Sequence, residues 1–484
     1  MPTFRTLRPS LRPWLVALAA FFVLTGQTPP AGGVARIEEI LGSERGDNAL
    51  WGVYVADANT GEVLYQRNQH RPMLPASNTK VLTAATALDA LGSDYRYRTP
   101  LLFKGTRSGS TWRGDLILRG SGDPSFGSVQ LDSARQDPLR LWADSLRSLG
   151  VTRIEGRIIG DDDAGSDNPY GDGWDIDYVT EQGSIVIGVA SSALSYHDNV
   201  VTLRFGTTAK NGQVQAVPAG YLRVENATRG SERTRGSAVS IRRVLGAEQV
   251  MVKGSLAAGR GATVHVPVTN PTAMTVQAFK VALDSAGIAV DRLTPLDVDE
   301  LPEPVDRTGA DTVFTHVSPP LSFLLEEVGQ HSNNFYAEQI FRSFGWAGTA
   351  EGAAARVQAF LKKAGAKAEL VSLADGSGLS RLDYVTPEAL ARTFVLMKKH
   401  PEAATFLNQL AYPGGGTTLG YRLSEFDVRA KTGSLEYARA LSGYVVAKSG
   451  RELGFSVIAN NFAGSPIRII TTIDDLVRAA AEGL

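Results

Sequence analysis

A chain of 484 residues exceeds one ordinary hydrophobic core, so two or three domains are expected. With 43% hydrophobic and 20% charged residues it is globular in composition, and a formal net charge of -1 gives no electrostatic reason for a nucleic-acid partner. The absence of cysteine excludes disulfides, thiolate metal centres, a thiol nucleophile and a lipid-modified cysteine; six histidines show no HxxH or HExxH spacing, so neither a metal site nor a cofactor is expected.

Arg5, Arg8 and Arg12 precede an apolar run at 14–24 and then the polar, Pro-rich Thr25-Gly26-Gln27-Thr28-Pro29-Pro30. A basic start and a short apolar core predict a secretory signal over residues 1–27. No small-x-small cleavage motif follows, so retention as an N-terminal anchor, with peripheral membrane association, stays open. Either outcome sends the body of the protein to the periplasm or cell envelope.

From residue 34 the chain reads as a short helix, a strand at 49–56, a turn at Asn59-Thr60-Gly61 and a returning strand at 62–67. Pro75-Ala76-Ser77-Asn78-Thr79-Lys80 then opens an apolar helical run that stops at Gly92. A hairpin followed by a helix implies a sheet with helices packed on it. After residue 97, short strand-like runs dominate, at 115–119, 157–160, 200–205, 239–244, 249–252 and 262–268, with helical segments at 138–149 and 272–286. The region 98–310 is therefore read as a mostly β insertion of two modules. From 312 the texture is helical, at 319–330, 334–345, 351–364 and 387–399. Strands at 428–432, 438–447 and 453–460 form an antiparallel meander, and a helix at 466–481 closes the chain.

Three motifs carry chemistry. Ser77 and Lys80 are three residues apart, which on a helix sets a hydroxyl and an amine on one face. A serine needs a base to become a nucleophile, and a desolvated lysine can serve. The spacing alone arises by chance on the order of once in such a chain, so a helix cap beside a solvated lysine is the competing reading. Downstream, Ser332-Asn333-Asn334 joins two predicted helices, and Lys431-Thr432-Gly433-Ser434 ends a predicted strand. They offer a second hydroxyl, an amide, a fixed cation and a glycine that lets backbone approach a ligand. Ser166-Asp167-Asn168 also fits Ser-x-Asn, but it lies in an acidic turn-rich loop of the insertion and is set aside.

Ser77-x-x-Lys80, Ser332-x-Asn334 and Lys431-Thr432-Gly433, in that order, resemble the motifs of the serine penicillin-binding proteins and serine β-lactamases. With Gly120-Ser121-Gly122-Asp123-Pro124, Asp375-Gly376-Ser377-Gly378-Leu379-Ser380-Arg381 and a long insertion, the chain is most similar to the D-alanyl-D-alanine carboxypeptidase/endopeptidase group, the low-molecular-mass class C penicillin-binding proteins. The usual Gly-Trp of the insertion is present as Gly173-Trp174 in diverged surroundings.

The resemblance implies an α/β multidomain fold: a β-lactamase/transpeptidase-like domain, with an antiparallel sheet flanked by helices, from residues 34–97 and 311–484, interrupted by the 98–310 insertion. It implies attack by Ser77 on a terminal D-Ala-D-Ala bond of peptidoglycan stem peptides, and covalent inhibition by β-lactam antibiotics. Lys80 would be the base, its charge disfavoured by burial and by Lys431. Ser332 would relay a proton, Asn334 would hold the substrate amide, and Lys431 and Thr432 would attract the carboxylate. Gly433 would admit the ligand, and the N–H groups of Ser77 and Ser434 would form the oxyanion hole. In relatives an acidic residue of the insertion recognises a free amino group; by its position just after a strand, Asp161 is the candidate, Asp162 and Asp163 are the neighbouring choices, and a plain acidic turn is the alternative. Asp375 and Arg381 are assigned structural roles, and His331 no catalytic one. A β-lactamase or esterase with the same apparatus, and a non-catalytic envelope peptide-binding protein, are the rival readings.

Overall fold

Trp51, Val53 and Val55 alternate with Tyr54 and Ala56, and this period-2 pattern divides the strand Leu50–Asp57 (β1) between two apolar layers. The odd positions pack with the first and last helices, and the even ones with Ala391. The computed structural model describes residues 32–43, 49–129, 131, 136–180, 183, 186–208, 211–231, 238–243, 247–257, 261–293, 296–345 and 348–484. The segment 1–27 lies outside the described residues, as does Val244 at the end of one predicted strand.

Helix Gly32–Leu41 (α1) precedes β1, which pairs antiparallel with Val63–Arg67 (β2) as the hairpin reading expects. A 3-10 turn, Ala76–Asn78, leads into helix Thr79–Leu91 (α2), which ends at Gly92 with φ +79°. Every residue from Thr79 to Leu88 is buried, so α2 is a core helix, apolar on all sides apart from Lys80 and its threonines.

The insertion holds two sheets. The first contains Arg98–Ser108 (β3), Thr111–Arg119 (β4) and Arg153–Asp161 (β5), with helix Pro138–Ser148 (α3) between β4 and β5 and a short helix, Ile176–Thr180 (α4), after them. The second is built from Val200–Thr208 (β6), Asn211–Val217 (β7), Arg223–Ser231 (β8), Ala238–Arg243 (β9), Gln249–Ala257 (β10) and Ala262–Pro267 (β11), in the order β11-β6-β7-β8-β10-β9. Helix Pro271–Ser285 (α5), capped by the Asn270 side chain, packs with α3 in a core shared by both sheets. Ala289–Arg292 (β12) and Asp311–Val317 (β13) complete the first sheet as β12-β5-β4-β3-β13. Here the sequence boundary moves: residues 311–317, read as the return to the catalytic region, pair antiparallel with β3 of the insertion. Residues of β13 are mostly exposed or half-buried, so their sequence lacks the apolar signature of a strand.

Four helices follow, Leu321–Gly329 (α6), Asn334–Ser343 (α7), Ala350–Lys363 (α8) and Pro387–Lys398 (α9), then a short Ala403–Asn408 (α10). They share a core with α2 through Leu82, Leu88, Leu324, Tyr336, Val357 and Phe394. The meander Val428–Leu435 (β14), Ala438–Val446 (β15) and Glu452–Asn460 (β16) joins β1 and β2 in one antiparallel sheet, β14-β15-β16-β1-β2. Helix Pro466–Gly483 (α11) covers one face, crossing α1 so closely that a Cβ on Gly33 would lie 2.7 Å from Gly483 backbone. The fold is thus an antiparallel sheet flanked by helices with a mostly β insertion. Among the described residues no helix is long and apolar enough to cross a membrane.

Candidate active site

Ser77 stands in the 3-10 turn and Lys80 is the second residue of α2, so the motif straddles the junction of two helix types. Ala76, just before Ser77, has φ +50°, a left-handed conformation costing on the order of 1–2 kcal/mol for a residue with a Cβ. That bend presents the half-buried Ser77 side chain at the mouth of the α2 core while Lys80 lies beneath it, 1% exposed.

Three oxygens surround the Lys80 amine: Ser77 Oγ at 3.1 Å, Asn334 Oδ1 at 2.6 Å and the Ser377 carbonyl at 2.5 Å. The Asn334 amide is fixed in this orientation because its Nδ2 donates to the Ile187 carbonyl at 2.8 Å. Asn334 Oδ1 and Ser377 O can only accept. A neutral amine therefore spends its two N–H groups on them and turns its lone pair toward the one partner able to donate, the Ser77 hydroxyl. Burial lowers the Lys80 pKa from 10.5 to about 7, against the opposing pull of the Asp375, Asp383 and Glu338 carboxylates. The sequence reading gave Lys431 a share in this; burial is the one cause that lowers it. The repulsion between the two lysines is expressed instead on Lys431, which burial and then the Lys80 charge hold well below the ordinary lysine value.

Ser332 precedes α7 with φ +61°, and its Oγ accepts from Lys431 Nζ at 2.9 Å. Lys431 also donates to the Thr432 carbonyl at 2.9 Å. The Lys431 carbonyl in turn accepts from Asn78 Nδ2 at 3.1 Å, which ties β14 to the turn that carries Ser77. Gly433 makes this approach possible: a Cβ there would sit 2.7 Å from the Pro75 carbonyl and 2.8 Å from Asn78 Nδ2. Thr432 is half-buried and Ser434 exposed, two positions apart on one face of β14. Ser77, Lys80, Ser332, Asn334 and Lys431, up to 354 positions apart in sequence, thus form two hydrogen-bonded groups linked through Asn78 and the Ser332–Asn334 connection. Beside them lies a cavity of about 370 Å³, bordered by Ser332, Asn333, Asn334, Asp198, Glu327 and His331.

Asp161 is not among these partners. It ends β5 with its side chain fully buried, and both carboxylate oxygens are held by Arg307, with Arg119 at 3.9 Å. Its neighbours are also engaged within the insertion, Asp163 by Arg307 and Asp162 by the hydroxyls of Ser192 and Thr272. The expectation of an open carboxylate for a substrate amine at Asp161 is therefore corrected: Arg307 neutralises it. Asp162 lies near Asp297 and Asp299, and burial raises its pKa to about 6. His331 is exposed and faces Glu327 at 3.3 Å, whereas Ser332 takes its hydrogen bond from Lys431. Ser166-Asp167-Asn168 remains in the insertion loop, the Asn168 carbonyl accepting from Arg342 at 2.6 Å.

Sequence reasoning missed the Ser377 carbonyl and the carboxylates of Glu338 and Asp383. A carbonyl carries no side-chain signature. The two acids stand 258 and 303 positions after Lys80, and only the fold brings them to it.

A curated D-alanyl-D-alanine carboxypeptidase from Actinomadura sp. (strain R39) is 31% identical over 447 residues, spanning 88% of this chain and 81% of that one. The D-alanyl-D-alanine carboxypeptidase DacB of Haemophilus influenzae is 24% identical over 444 residues, 88% of each chain. The crystal structure of penicillin binding protein 4 (dacB) from Haemophilus influenzae has the same fold, with a TM-score of 0.73 at 22% identity, covering 92% of this chain and 99% of that one. That protein has also been solved with a β-lactam, and in this form matches with a TM-score of 0.68 at 20% identity. A family model matches residues 34–481, and by that match the chain belongs to the D-Ala-D-Ala carboxypeptidase 3 (S13) family.

Proposed function

We propose that Ser77 is the nucleophile of a serine-type D-Ala-D-Ala carboxypeptidase acting on peptidoglycan stem peptides, with Lys80 as its base. The observation that carries this reading is the Lys80 amine, flanked by two obligate acceptors so that its lone pair faces Ser77 Oγ at 3.1 Å. Lys80 takes the hydroxyl proton as Oγ attacks the penultimate D-Ala carbonyl. The N–H groups of Ser77 and Ser434 stabilise the resulting oxyanion, a donor of this kind contributing about 3–4 kcal/mol. Ser332 passes its proton to the leaving amine as the C–N bond breaks and recovers one from the protonated Lys80, which frees D-alanine, leaves the acyl group on Ser77 and returns Lys80 to its neutral form. Water then hydrolyses the ester, with Lys80 again taking a proton.

Asn334 holds the substrate amide. Lys431 and Thr432 receive the terminal carboxylate, whose charge favours the protonated form of Lys431 and offsets the cost of burying it. In this reading the catalytic unit comprises residues 34–97 and the chain after β13, and the insertion runs between them. A β-lactam reacts as a substrate mimic and stays on Ser77. Export by the 1–27 segment carries the enzyme to the envelope, where the wall lies.

Release of D-alanine from a pentapeptide substrate tests the reaction, and Lys80→Ala should abolish it with the fold intact by melting temperature. D-Alanine release that persists in Lys80→Ala contradicts the assignment of the base. Cleavage of a cross-linked peptide dimer in parallel measures the endopeptidase component. Fast turnover of penicillin without peptide hydrolysis would instead favour the β-lactamase reading.

A further inference from the structure

Besides the Ile187 carbonyl, which accepts from Asn334 Nδ2 at 2.8 Å, the inserted region meets the catalytic cluster at a turn, residues 375–380, which has an inner and an outer side. On the inner side the Ser377 carbonyl accepts from Lys80 Nζ at 2.5 Å, and the Gly376 carbonyl accepts from Thr83 Oγ1 at 2.7 Å. Gly378, with φ +82°, lies so close to the nucleophile's turn that a Cβ would be 2.0 Å from the Ala76 carbonyl and 3.0 Å from Ser77 N. The turn therefore has no room to move toward Ser77, and a move away takes the Ser377 carbonyl off the Lys80 amine.

One side chain sets the shape of this turn. Asp375 Oδ1 accepts from the N–H groups of Ser377 at 3.1 Å and Gly378 at 2.6 Å. Asp375 Oδ2 accepts from the N–H groups of Leu379 at 3.0 Å and Ser380 at 3.1 Å, and from Ser377 Oγ at 2.9 Å. The remaining donor comes from outside: the indole N–H of Trp174 meets Asp375 Oδ2 at 2.6 Å. The same stretch of the insertion makes further ties. Ser380 Oγ donates to the Asp172 carbonyl at 2.5 Å, and Arg381 N–H to the Gly173 carbonyl at 3.2 Å. Arg342 spans the Asn168 carbonyl at 2.6 Å and Glu338 at 2.7 Å, and Glu338 accepts from Gly376 N–H at 2.8 Å.

We propose that Trp174 and Asp375 are positioning residues for Lys80: the inserted segment 168–174 clamps the 375–380 turn so that its Ser377 carbonyl holds the Lys80 amine beside Ser77. The insertion is on this account part of the catalytic architecture and not only a substrate-facing appendage. The proposal rests on Lys80 acting as base. Trp174→Phe keeps most of the ring packing and deletes one charge-assisted hydrogen bond. Asp375→Asn keeps the shape of the side chain, removes the charge and halves its capacity to accept.

The experiment measures the second-order rate of acylation by a fluorescent penicillin between pH 5 and 9, with melting temperatures, for the full chain and the two variants. Trp174→Phe should acylate on the order of tenfold more slowly, with complete labelling at long times and an unchanged melting temperature. The titratable groups facing Lys80 are Asp375, then Asp383 and Glu338, both pushed up by burial, and, from β14, Lys431, which burial pushes down. Losing the Asp375 charge leaves burial less opposed, so Asp375→Asn should move the acid limb of the profile down by about half a pH unit or more. A role in folding alone would lower stability and leave that limb in place.

An unchanged acylation rate in Trp174→Phe overturns the proposal, and so does an unmoved acid limb in a folded Asp375→Asn. If Asp375→Asn does not fold, the Trp174→Phe rate decides. Labelling that survives Ser77→Ala would instead defeat the assignment of the nucleophile, so the two failures are distinguishable.

Discussion

Ser77 and Lys80 stand 3.1 Å apart across the junction of a 3-10 turn and an α-helix, not along one regular helical face. The junction buries the amine and leaves the hydroxyl half-buried at the surface of the same core. Nucleophile and base thereby experience different environments from positions three residues apart.

The pH dependence of acylation follows from that burial. Lys80 acts as a base only when neutral, and its pKa is pushed down to about 7. Acylation by penicillin should therefore fall about tenfold per pH unit below 7 and level off above it. A stopped-flow pH profile checks this. A profile flat between pH 5 and 8 would show that the proton goes elsewhere.

Gly433 gives a steric test of how β14 meets the nucleophile's turn. A methyl group there meets backbone at 2.7 Å, and the strand has to retreat from Pro75 and Asn78. Gly433→Ala should reduce acylation on the order of 100-fold while the protein stays folded. Gly450, where a Cβ meets nothing within 4 Å, is a control for the substitution, although its φ of +82° carries its own strain. Acylation rates and melting temperatures of both variants separate misplacement from unfolding.

Asp161 should matter for stability and not for substrate preference. Removing a fully buried carboxylate leaves Arg307 without its main partner, and breaking such a pair costs about 3 kcal/mol. Asp161→Ala should lower the denaturation midpoint and leave the preference between substrates with free and blocked side-chain amines unchanged. Chemical denaturation and paired D-alanine assays measure the two effects.

Asp162 makes a prediction of opposite sign. Burial raises its folded pKa to about 6, above its ordinary value of 3.8. The folded state binds this proton more tightly than the unfolded one, so its contribution is full below pH 4 and declines as pH rises toward 6. Asp162→Asn should therefore stabilise the protein at pH 7.5, by on the order of 1–3 kcal/mol, and have little effect at pH 4. Thermal melts at the two pH values test it.

The three motifs were legible in the sequence because their order and chemistry are local. Ser77 with Lys80, Ser332 with Asn334, and Lys431 with Thr432 each lie on one short stretch. The helices and meander after residue 318 were legible too, because they bury strongly patterned apolar faces. What was not legible depends on distant partners. Nothing near Asp161 announces Arg307, 146 positions later, and nothing near Asp375 announces Trp174, 201 positions earlier. Strand β13 escaped for another reason: it lies at the edge of its sheet with little buried surface, so its residues carry no apolar alternation.

The most direct test of the account is mass spectrometry of the purified protein after brief exposure to penicillin at pH 8. The account predicts one covalent adduct, on the tryptic peptide containing Ser77, absent from Ser77→Ala and retained, though formed more slowly, in Ser332→Ala. An adduct on any other serine, or labelling that survives Ser77→Ala, would contradict it.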